Sequence, residues 1–233
     1  MAHLPYSTAL IVGAGAGISA SLARALTGAG LRVGLVARNA GKLDALRAET
    51  GATAFSADAS DPAGVARLFD EVDAGLGEPD VVIYNPSLRA PGPLTELDPE
   101  LVRKVVTVSA FGAFLVVQQA ARRMVPRGNG AILLTGASAS VKGFPLSAAF
   151  AMGKFALRGL AQSAARELGP KGIHVAHVVI DGAVRSATRP DPADRPDSTL
   201  SPDSIAKTCL GLLEQPRDAW SLEVELRPWV EKF

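Results

Sequence analysis

Three glycines near the amino terminus are placed where they could bind phosphate groups. Gly13, Gly15 and Gly17 follow an apolar segment, Ser7–Val12, and precede a helical pattern, Ala20–Ala29. Glycine permits a tight turn and close backbone approach, and a helix that starts there directs N–H groups at a diphosphate. A glycine cluster is strong support for such a site only at a strand-to-helix turn, which is where this one lies. The predicted dinucleotide site consists of Gly13, Gly15, Gly17 and Ile18.

The end of the second apolar segment, Leu31–Ala37, distinguishes between two dinucleotides. A carboxylate there would bind the ribose 2′-hydroxyl of NAD(H) and would repel the 2′-phosphate of NADP(H). The chain carries Arg38 and Asn39 instead. Because arginine offers a phosphate a permanently charged, bidentate group of donors, we predict that NADP(H) is preferred over NAD(H).

The composition limits what else the chain could do. Lys and Arg number 24 and Asp and Glu 23, so no strong charge favours a nucleic-acid partner or a polybasic membrane surface. The single cysteine, Cys209, cannot form an internal disulfide and is typical of a reducing compartment. The sequence shows no signal peptide and no uninterrupted apolar run of about 18 residues. We expect a cytoplasmic protein with a small-molecule substrate and no membrane partner.

Short apolar segments alternate with helical patterns along most of the 233 residues. Such alternation predicts parallel strands joined by right-handed crossovers, in a doubly wound sheet with helices on both faces. We expect one α/β domain of the Rossmann type over residues 1–233, with about seven strands. The predicted strands are Ser7–Val12, Leu31–Ala37, Thr53–Ala57, Val81–Tyr84, Ala131–Thr135, Ile173–Ile180 and Leu222–Leu226.

Capping residues predict where the helices begin. Asn39 is a candidate N-cap for a helix over residues 40–49, and Asp61 and Asp98 each precede a proline, which suits a first helical turn. The helix that follows Asp98 is predicted to run unbroken to Arg122. Further helices are predicted over residues 149–168 and 203–213.

The regular pattern breaks at residues 186–202, where prolines and charged residues follow one another without periodicity. Long loops in compact domains often cover a binding cleft. We expect either an irregular surface loop or a mobile flap on the substrate side of the domain.

Taken together, these features resemble the short-chain dehydrogenase/reductase family over essentially the whole chain. The glycine segment is similar to the family's Thr-Gly-x-x-x-Gly-x-Gly, with Val12 and Ser19 in its first and last positions. Asn85 matches an asparagine of the family's Asn-Asn-Ala-Gly segment, and Lys154 matches the lysine that holds the nicotinamide ribose. The resemblance further implies cofactor contacts from Asp58, near the adenine, and from Gly182, Val184 and Ser186, near the carboxamide.

The chain departs from the family's reactive tetrad, Asn-Ser-Tyr-Lys, at three positions. Ser109 stands in the asparagine position, Ala137 with Ser138 beside it in the serine position, and Phe150 in the tyrosine position. Only Lys154 matches. Phenylalanine keeps the ring but lacks the O–H that donates a proton to a carbonyl oxygen as hydride arrives.

Loss of the phenol predicts altered chemistry and does not exclude hydride transfer. General acid catalysis contributes about 10²–10⁴-fold, whereas hydride transfer depends on how cofactor and substrate are placed. Ser138 and Ser147 lie in the stretch that faces the nicotinamide in the family, although both could be ordinary turn residues. The catalytic candidates are Lys154, Ser138, Phe150, Ser109 and Ser147.

The resulting hypothesis is an NADPH-dependent reductase that acts on a carbonyl, an imine or an activated alkene, with Ser138 or water as proton donor. Two alternatives stay open: a cofactor-binding regulatory or scaffold protein with little turnover, and a non-redox enzyme, such as an isomerase or cyclase, in the same cleft. The resemblance implies a homodimer or homotetramer. His174 and His177 lack the clustered partners of a metal site, so no metal is expected.

Overall fold

One parallel sheet with helices on both faces forms the centre of the molecule. The computed structural model describes residues 4–231, and its seven strands lie in the order β3-β2-β1-β4-β5-β6-β7. Every neighbouring pair is parallel, as the sequence predicts for a doubly wound fold. The strands are Thr8–Val12 (β1), Arg32–Ala37 (β2), Thr53–Ser56 (β3), Val81–Tyr84 (β4), Gly130–Thr135 (β5), Ile173–Ile180 (β6) and Glu223–Leu226 (β7).

The helices divide between the two faces and bury separate cores. Leu26 of α1 and Leu212 of α7 belong to the core on one face, whereas Phe69 of α3, Val116 of α5 and Leu157 of α6 belong to the other. Strands β1, β4 and β6 are buried along their whole length, which explains their unbroken apolar sequences. The helices are Ile18–Gly28 (α1), Asp44–Thr50 (α2), Pro62–Gly75 (α3), Pro99–Val106 (α4), Gly112–Arg127 (α5), Ala148–Leu168 (α6) and Pro202–Leu213 (α7).

The predicted capping residues act as caps. The Asp61 carboxylate accepts hydrogen bonds from two backbone N–H groups of α3, at 3.2 and 2.9 Å. Asp98 accepts one from Glu100 at the start of α4, at 3.0 Å. Asn39 accepts one from Gly41 at 3.1 Å, but the turn that it caps, residues 40–43, is a 3₁₀ helix, and α2 begins only at Asp44.

The helix predicted to run unbroken from Asp98 to Arg122 is interrupted by a π turn over Thr107–Phe111. The cause is the Tyr84 hydroxyl, which donates to the Val108 carbonyl at 2.5 Å, so the Gly112 N–H donates to Thr107 instead. A Cβ at Gly112 would lie 2.5 Å from the Tyr84 hydroxyl oxygen, so a glycine is required there. Sequence periodicity alone cannot detect such a side-chain insertion.

The predicted end of this helix, at Arg122, was also wrong, because α5 continues to Arg127. The last turn is held by ion pairs with other elements: Arg123 lies 2.7 Å from Asp73, and Arg127 lies 2.8 Å from Asp80. The helix ends at Gly128, whose φ of +61° is in the left-handed region that favours glycine.

Within residues 4–231, no helix has both the length and the apolar character required to cross a membrane.

Candidate active site

The carboxyl ends of the parallel strands meet at one edge of the sheet. The chain leaves β1 toward β2 on one side and β4 toward β5 on the other, so the strand order reverses between β1 and β4. Open α/β sheets bind their ligands at such a reversal. Residues 13–18, 85–90, 136–147 and 181–186 leave the sheet at this edge, after β1, β4, β5 and β6.

The glycine turn after β1 has the form of a phosphate-binding loop. Gly13 and Gly17 have φ angles of +82° and +85°, in the region that favours glycine. A Cβ at Gly13 would lie 2.6 Å from the backbone nitrogen of Pro86, whereas Cβ atoms at Gly15 and Gly17 would meet no non-neighbouring atom within 4 Å. No side chain caps the first turn of α1. The open space and the uncapped N–H groups fit the diphosphate of a dinucleotide.

Ser19 and Asn85 connect this turn to the end of β4. The Ser19 hydroxyl donates to the Gly13 carbonyl at 3.0 Å and accepts from the Asn85 side-chain amide at 2.8 Å. The Asn85 backbone N–H donates to the Val12 carbonyl at 2.9 Å. These bonds fix the two segments relative to each other, which gives a structural reason for a serine at position 19.

The residues at the ends of β2 and β3 differ in how far their side chains are engaged. Arg38 is exposed, and its guanidinium donates no hydrogen bond to any residue between 4 and 231. Asp58 accepts from the hydroxyl and backbone N–H of Ser60, at 2.6 and 2.9 Å, and these bonds, with a smaller contribution from Arg38, lower its pKa. Asn39 uses its side-chain oxygen to cap its own turn, and Arg38 has free charged donors for a ligand.

A cleft of about 730 Å³ opens at the same edge, between the segments that follow β4, β5 and β6. Gly17 lines a neighbouring hollow, and so does Ser186, which was expected beside the carboxamide. The cleft itself brings together predicted residues from five separate parts of the chain. Those on its wall are Ile18, Asn85, Ser138, Ser147, Phe150, Lys154, Gly182 and Val184.

Lys154 is buried on α6 and faces this cleft, with only 3% of its surface exposed. Its Nζ donates to the Thr135 carbonyl at the end of β5, at 2.7 Å. An ammonium group has three N–H donors, so donors remain for a ligand. Burial, with the charge of Arg89 as the smaller cause, lowers the pKa of Lys154 from 10.5 to about 8.

The ring of Phe150 lies near two cationic groups. The guanidinium carbon of Arg89 is 4.5 Å from the ring centroid, and the Lys154 Nζ is 5.8 Å from it. Both distances permit a cation–π attraction. Sequence reasoning did not single out Arg89, because it belongs to no motif. The only available signal was its place four residues after Asn85, on a segment that leaves a strand at the binding edge.

The candidate serines separate into two groups. Ser138 and Ser147 line the cleft, and their hydroxyls form no hydrogen bond within the described part of the chain, so both can bind a ligand. The nearby Ser140 hydroxyl oxygen instead accepts from the Ala137 N–H at 3.1 Å.

Ser109 lies away from the cleft wall, in the π turn, and is fully buried. Its Cβ is 2.7 Å from the point where a Cβ at Gly153 would stand. Its hydroxyl has no hydrogen-bond partner among residues 4–231, an arrangement that costs free energy. Ser109 therefore packs against the residue before Lys154 and contacts no ligand in the cleft directly.

The segment over residues 186–202 borders the cleft. Two isolated bridges, Val184 with Leu200 and Ser186 with Arg189, are its regular features, and Arg189 lies on the cleft wall. The Asp191 carboxylate links the middle of the segment to its end, because it accepts hydrogen bonds from the Thr199 hydroxyl at 2.5 Å and from the Thr199 N–H at 3.1 Å.

The two strand histidines are engaged between β6 and β7. His174 Nε2 lies 2.9 Å from the Ser221 carbonyl, and His177 Nδ1 lies 2.9 Å from the Glu223 carboxylate. Burial lowers the pKa of both imidazoles. Among the residues that the structure describes, no group of three or more His, Cys, Asp or Glu is arranged to hold a metal ion.

Comparison with known proteins decides the family. The family model described as short chain dehydrogenase matches residues 7–194, which include β1 to β6 and all four segments of the binding edge. The chain belongs to the short-chain dehydrogenase family. The uncapped glycine turn and the buried lysine beside the cleft are thus features of a member of an oxidoreductase family.

Relatives within this family differ in what they are named for. The L-2,3-butanediol dehydrogenase of Corynebacterium glutamicum is 35% identical over 128 residues, which are 54% of this chain and 49% of that protein. The inactive 2-(S)-hydroxypropyl-CoM dehydrogenase 2 of Xanthobacter autotrophicus is 30% identical, over 84% of this chain and 87% of its own length. A metagenomic short-chain oxidoreductase in complex with NADP superimposes with a TM-score of 0.84 at 29% identity, over 96% of this chain and 98% of that one.

Proposed function

We propose that the protein is an NADPH-dependent oxidoreductase that transfers hydride to a small carbonyl, imine or activated alkene, with an altered route for the proton. One observation carries the proposal. The buried Lys154 lines one cleft together with Ser138 and Ser147, whose hydroxyls form no hydrogen bond in the described chain. This cleft lies beside a glycine turn that no side chain caps. Cofactor binding, substrate binding and proton supply can therefore take place at the same edge of the sheet.

The residues at this edge suit the successive parts of a dinucleotide. The turn at Gly15 and Gly17 would bind the diphosphate, and Lys154 would hold the nicotinamide ribose through the donors that Thr135 does not occupy. Gly182, on the cleft wall, would lie beside the carboxamide. The bound nicotinamide supplies the hydride.

NADP(H) is the proposed dinucleotide because of Arg38. Its exposed guanidinium stands at the end of β2 without a hydrogen bond or ion pair in the described chain, and no acidic residue follows β2 directly. A charged, bidentate donor favours a 2′-phosphate over a hydroxyl. The metagenomic relative is itself a complex with NADP, which agrees with this preference.

Because Phe150 stands in the position of the family's tyrosine, another group would have to donate the proton to the substrate oxygen. A phenyl ring has no exchangeable hydrogen and cannot stabilise a developing oxyanion by hydrogen bonding. The Ser138 and Ser147 hydroxyls can donate to the oxyanion. Lys154 or water can then return a proton to the serine that has given one up. A lysine whose pKa is about 8 is mostly protonated at neutral pH, so it suits this role.

A second candidate function is a cofactor-binding protein with little turnover. Two observations favour it: the apolar ring at Phe150, and a relative of matching length that is named inactive. Such a protein would bind NADPH through the same residues and would regulate or pair with an active relative.

We also propose that the protein forms a homodimer or homotetramer, and that it resides in the cytoplasm. The region formed by the π turn, α5 and α6 exposes four large apolar side chains to solvent. Phe111 and Phe114 are 45% and 42% exposed, and Met152 and Phe155 are 55% and 44% exposed. Such exposure favours burial against another copy of the chain.

Steady-state NADPH oxidation, measured with a panel of ketones, imines and enones, tests the proposed activity. We expect at least one substrate to be reduced with stoichiometric consumption of NADPH, and a folded Lys154→Met variant to be far slower. Tight NADPH binding without oxidation by any substrate would favour the second candidate. Product formation without net consumption would instead indicate a non-redox enzyme.

A further inference from the structure

The charged side chains on the wall of the cleft are all cationic. They are Arg89, Lys154 and Arg189, and no Asp or Glu among the described residues lines the cleft. The chain as a whole is nearly neutral, with 24 basic and 23 acidic residues, so this excess of positive charge is local. A concave site of this kind attracts anions and disfavours cations.

Arg89 is the cation with the most freedom to bind an anion. Its side chain forms no ion pair or hydrogen bond with any residue between 4 and 231, whereas Arg123 and Arg158 are each paired with a carboxylate at 2.7 Å. The contact of Arg89 with the face of the Phe150 ring, at 4.5 Å, leaves its N–H donors unoccupied. A guanidinium in this state presents a planar pair of donors, which matches the two oxygens of a carboxylate.

The contact between Arg89 and Phe150 favours the substrate over the cofactor as the source of this anion, because Phe150 is proposed to lie beside the reacting carbon. The glycine turn that suits the diphosphate borders the cleft through Ile18 and a neighbouring hollow through Gly17. Arg89 shares the cleft with Ser138, Phe150 and Lys154. An anion bound to Arg89 therefore lies near the groups proposed to surround the reacting carbon.

We propose that the substrate is a small 2-oxo acid or a related carbonyl compound whose carboxylate is bound by Arg89, with Arg189 as a second cation from the 186–202 segment. This inference rests on the proposed function and names its substrate class. The hydride pair would form a C–H bond at the carbonyl carbon, and the C=O π pair would move to oxygen, which gains a proton from the cleft. The products would be a hydroxy acid and the oxidised cofactor, and the carboxylate would keep its charge throughout.

A phosphate ester could also use these cations, so the first experiment compares the two anions. The protein, saturated with NADP⁺, is titrated calorimetrically with oxalate, with inorganic phosphate and with neutral oxamide. We expect oxalate to bind more tightly than phosphate, and oxamide not to bind measurably. Phosphate binding more tightly than oxalate would overturn the assignment to a carboxylate.

Variants then test the role of Arg89. Arg89→Met should weaken oxalate binding about 10- to 100-fold, as expected for hydrogen bonds to a charged group, while NADPH binding stays the same. Arg89→Lys, which keeps the charge but not the bidentate geometry, should lie between the two. Arg122→Met removes an exposed positive charge on α5, outside the cleft, and should leave oxalate binding unchanged. Equal weakening in Arg89→Met and Arg122→Met would overturn the proposal.

Turnover provides an independent comparison. If the proposed reductase activity exists, kcat/KM should be higher for 2-oxobutanoate than for its methyl ester, and Arg89→Met should abolish this difference. A wild-type protein that binds NADPH but neither oxalate nor phosphate would overturn the inference alone. A folded protein that binds no NADPH would count against the proposed function itself.

Discussion

The guanidinium carbon of Arg89 lies 4.5 Å from the centroid of the Phe150 ring, and the Lys154 Nζ lies 5.8 Å from the same point. An apolar ring beside two cations has no hydroxyl through which their charges could act on a substrate. A phenol in its place would be strongly affected, because nearby positive charge favours the phenolate and lowers the pKa of tyrosine. A tyrosine at position 150 would therefore have its pKa lowered by these two cations.

Replacement of Phe150 by tyrosine should raise the rate of simple ketone reduction. The new hydroxyl would donate a proton to the carbonyl oxygen, and general acid catalysis of this kind contributes about 10²–10⁴-fold. We expect an increase in kcat at saturating NADPH of about 10²-fold. Phe150→Leu, which removes the ring and adds no hydroxyl, should show no gain. An unchanged rate in folded, NADPH-saturated Phe150→Tyr would contradict the proposed arrangement of the cleft.

Replacement of Arg38 by alanine should weaken NADPH binding and leave NADH binding nearly unchanged. Loss of a charge-assisted contact with the 2′-phosphate corresponds to about 1.5–3 kcal/mol, or about 10- to 100-fold in Kd. Fluorescence titration with both dinucleotides measures this difference. Arg67→Ala removes another exposed arginine, on α3, and serves as the control. Equal losses for NADPH and NADH would refute the assignment to the 2′-phosphate.

The buried Lys154 makes stability depend on pH. Its pKa is about 8 in the folded protein and 10.5 in the unfolded chain, so between these values the unfolded chain binds more protons. The free energy of unfolding should therefore rise with pH in this window, compared with Lys154→Met, by up to about 1.4 kcal/mol per pH unit. Below about pH 8 the difference between the two proteins should stay constant. Urea titrations at several pH values measure it, and a difference that does not change between pH 8 and 10 would show that Lys154 is not buried as described.

The tight contact between Gly153 and Ser109 predicts a stability difference between two glycines of α6. Gly153→Ala should destabilise the protein by about 1–3 kcal/mol, because the new methyl would stand 2.7 Å from the Ser109 Cβ. Gly159→Ala, on the same helix, meets no atom within 4 Å and should stabilise by about 0.5–1 kcal/mol through helix propensity. Chemical denaturation of both variants provides the comparison. Similar effects at the two positions would disprove the close packing of α6 on the π turn.

The fold was largely predictable from the sequence, because apolar strands and capped helices are local patterns. Asp61 and Asp98 cap the helices that they were predicted to begin, and the strand segments pair in parallel. The π turn at Thr107–Phe111 was not predictable, since it depends on the Tyr84 hydroxyl, which comes from a distant strand. Long-range contacts of this kind leave no periodic signal along the chain.

Only those residues of the candidate site that belong to family motifs were predictable from the sequence. Lys154, Asn85 and Gly182 occupy recognisable segments, and the structure places all three on the cleft wall. Arg89 and Arg189 occupy irregular segments, where residue type carries no information about position. Their shared contribution to the charge of the cleft depends on how the loops after β4 and β6 approach each other, which only coordinates reveal.

Calorimetric titration of the wild-type protein with NADPH and NADH measures whether the cleft and the glycine turn bind a dinucleotide at all. We expect saturable binding of one dinucleotide per chain, with a lower Kd for NADPH than for NADH. A properly folded protein that shows no binding of either dinucleotide would contradict this expectation.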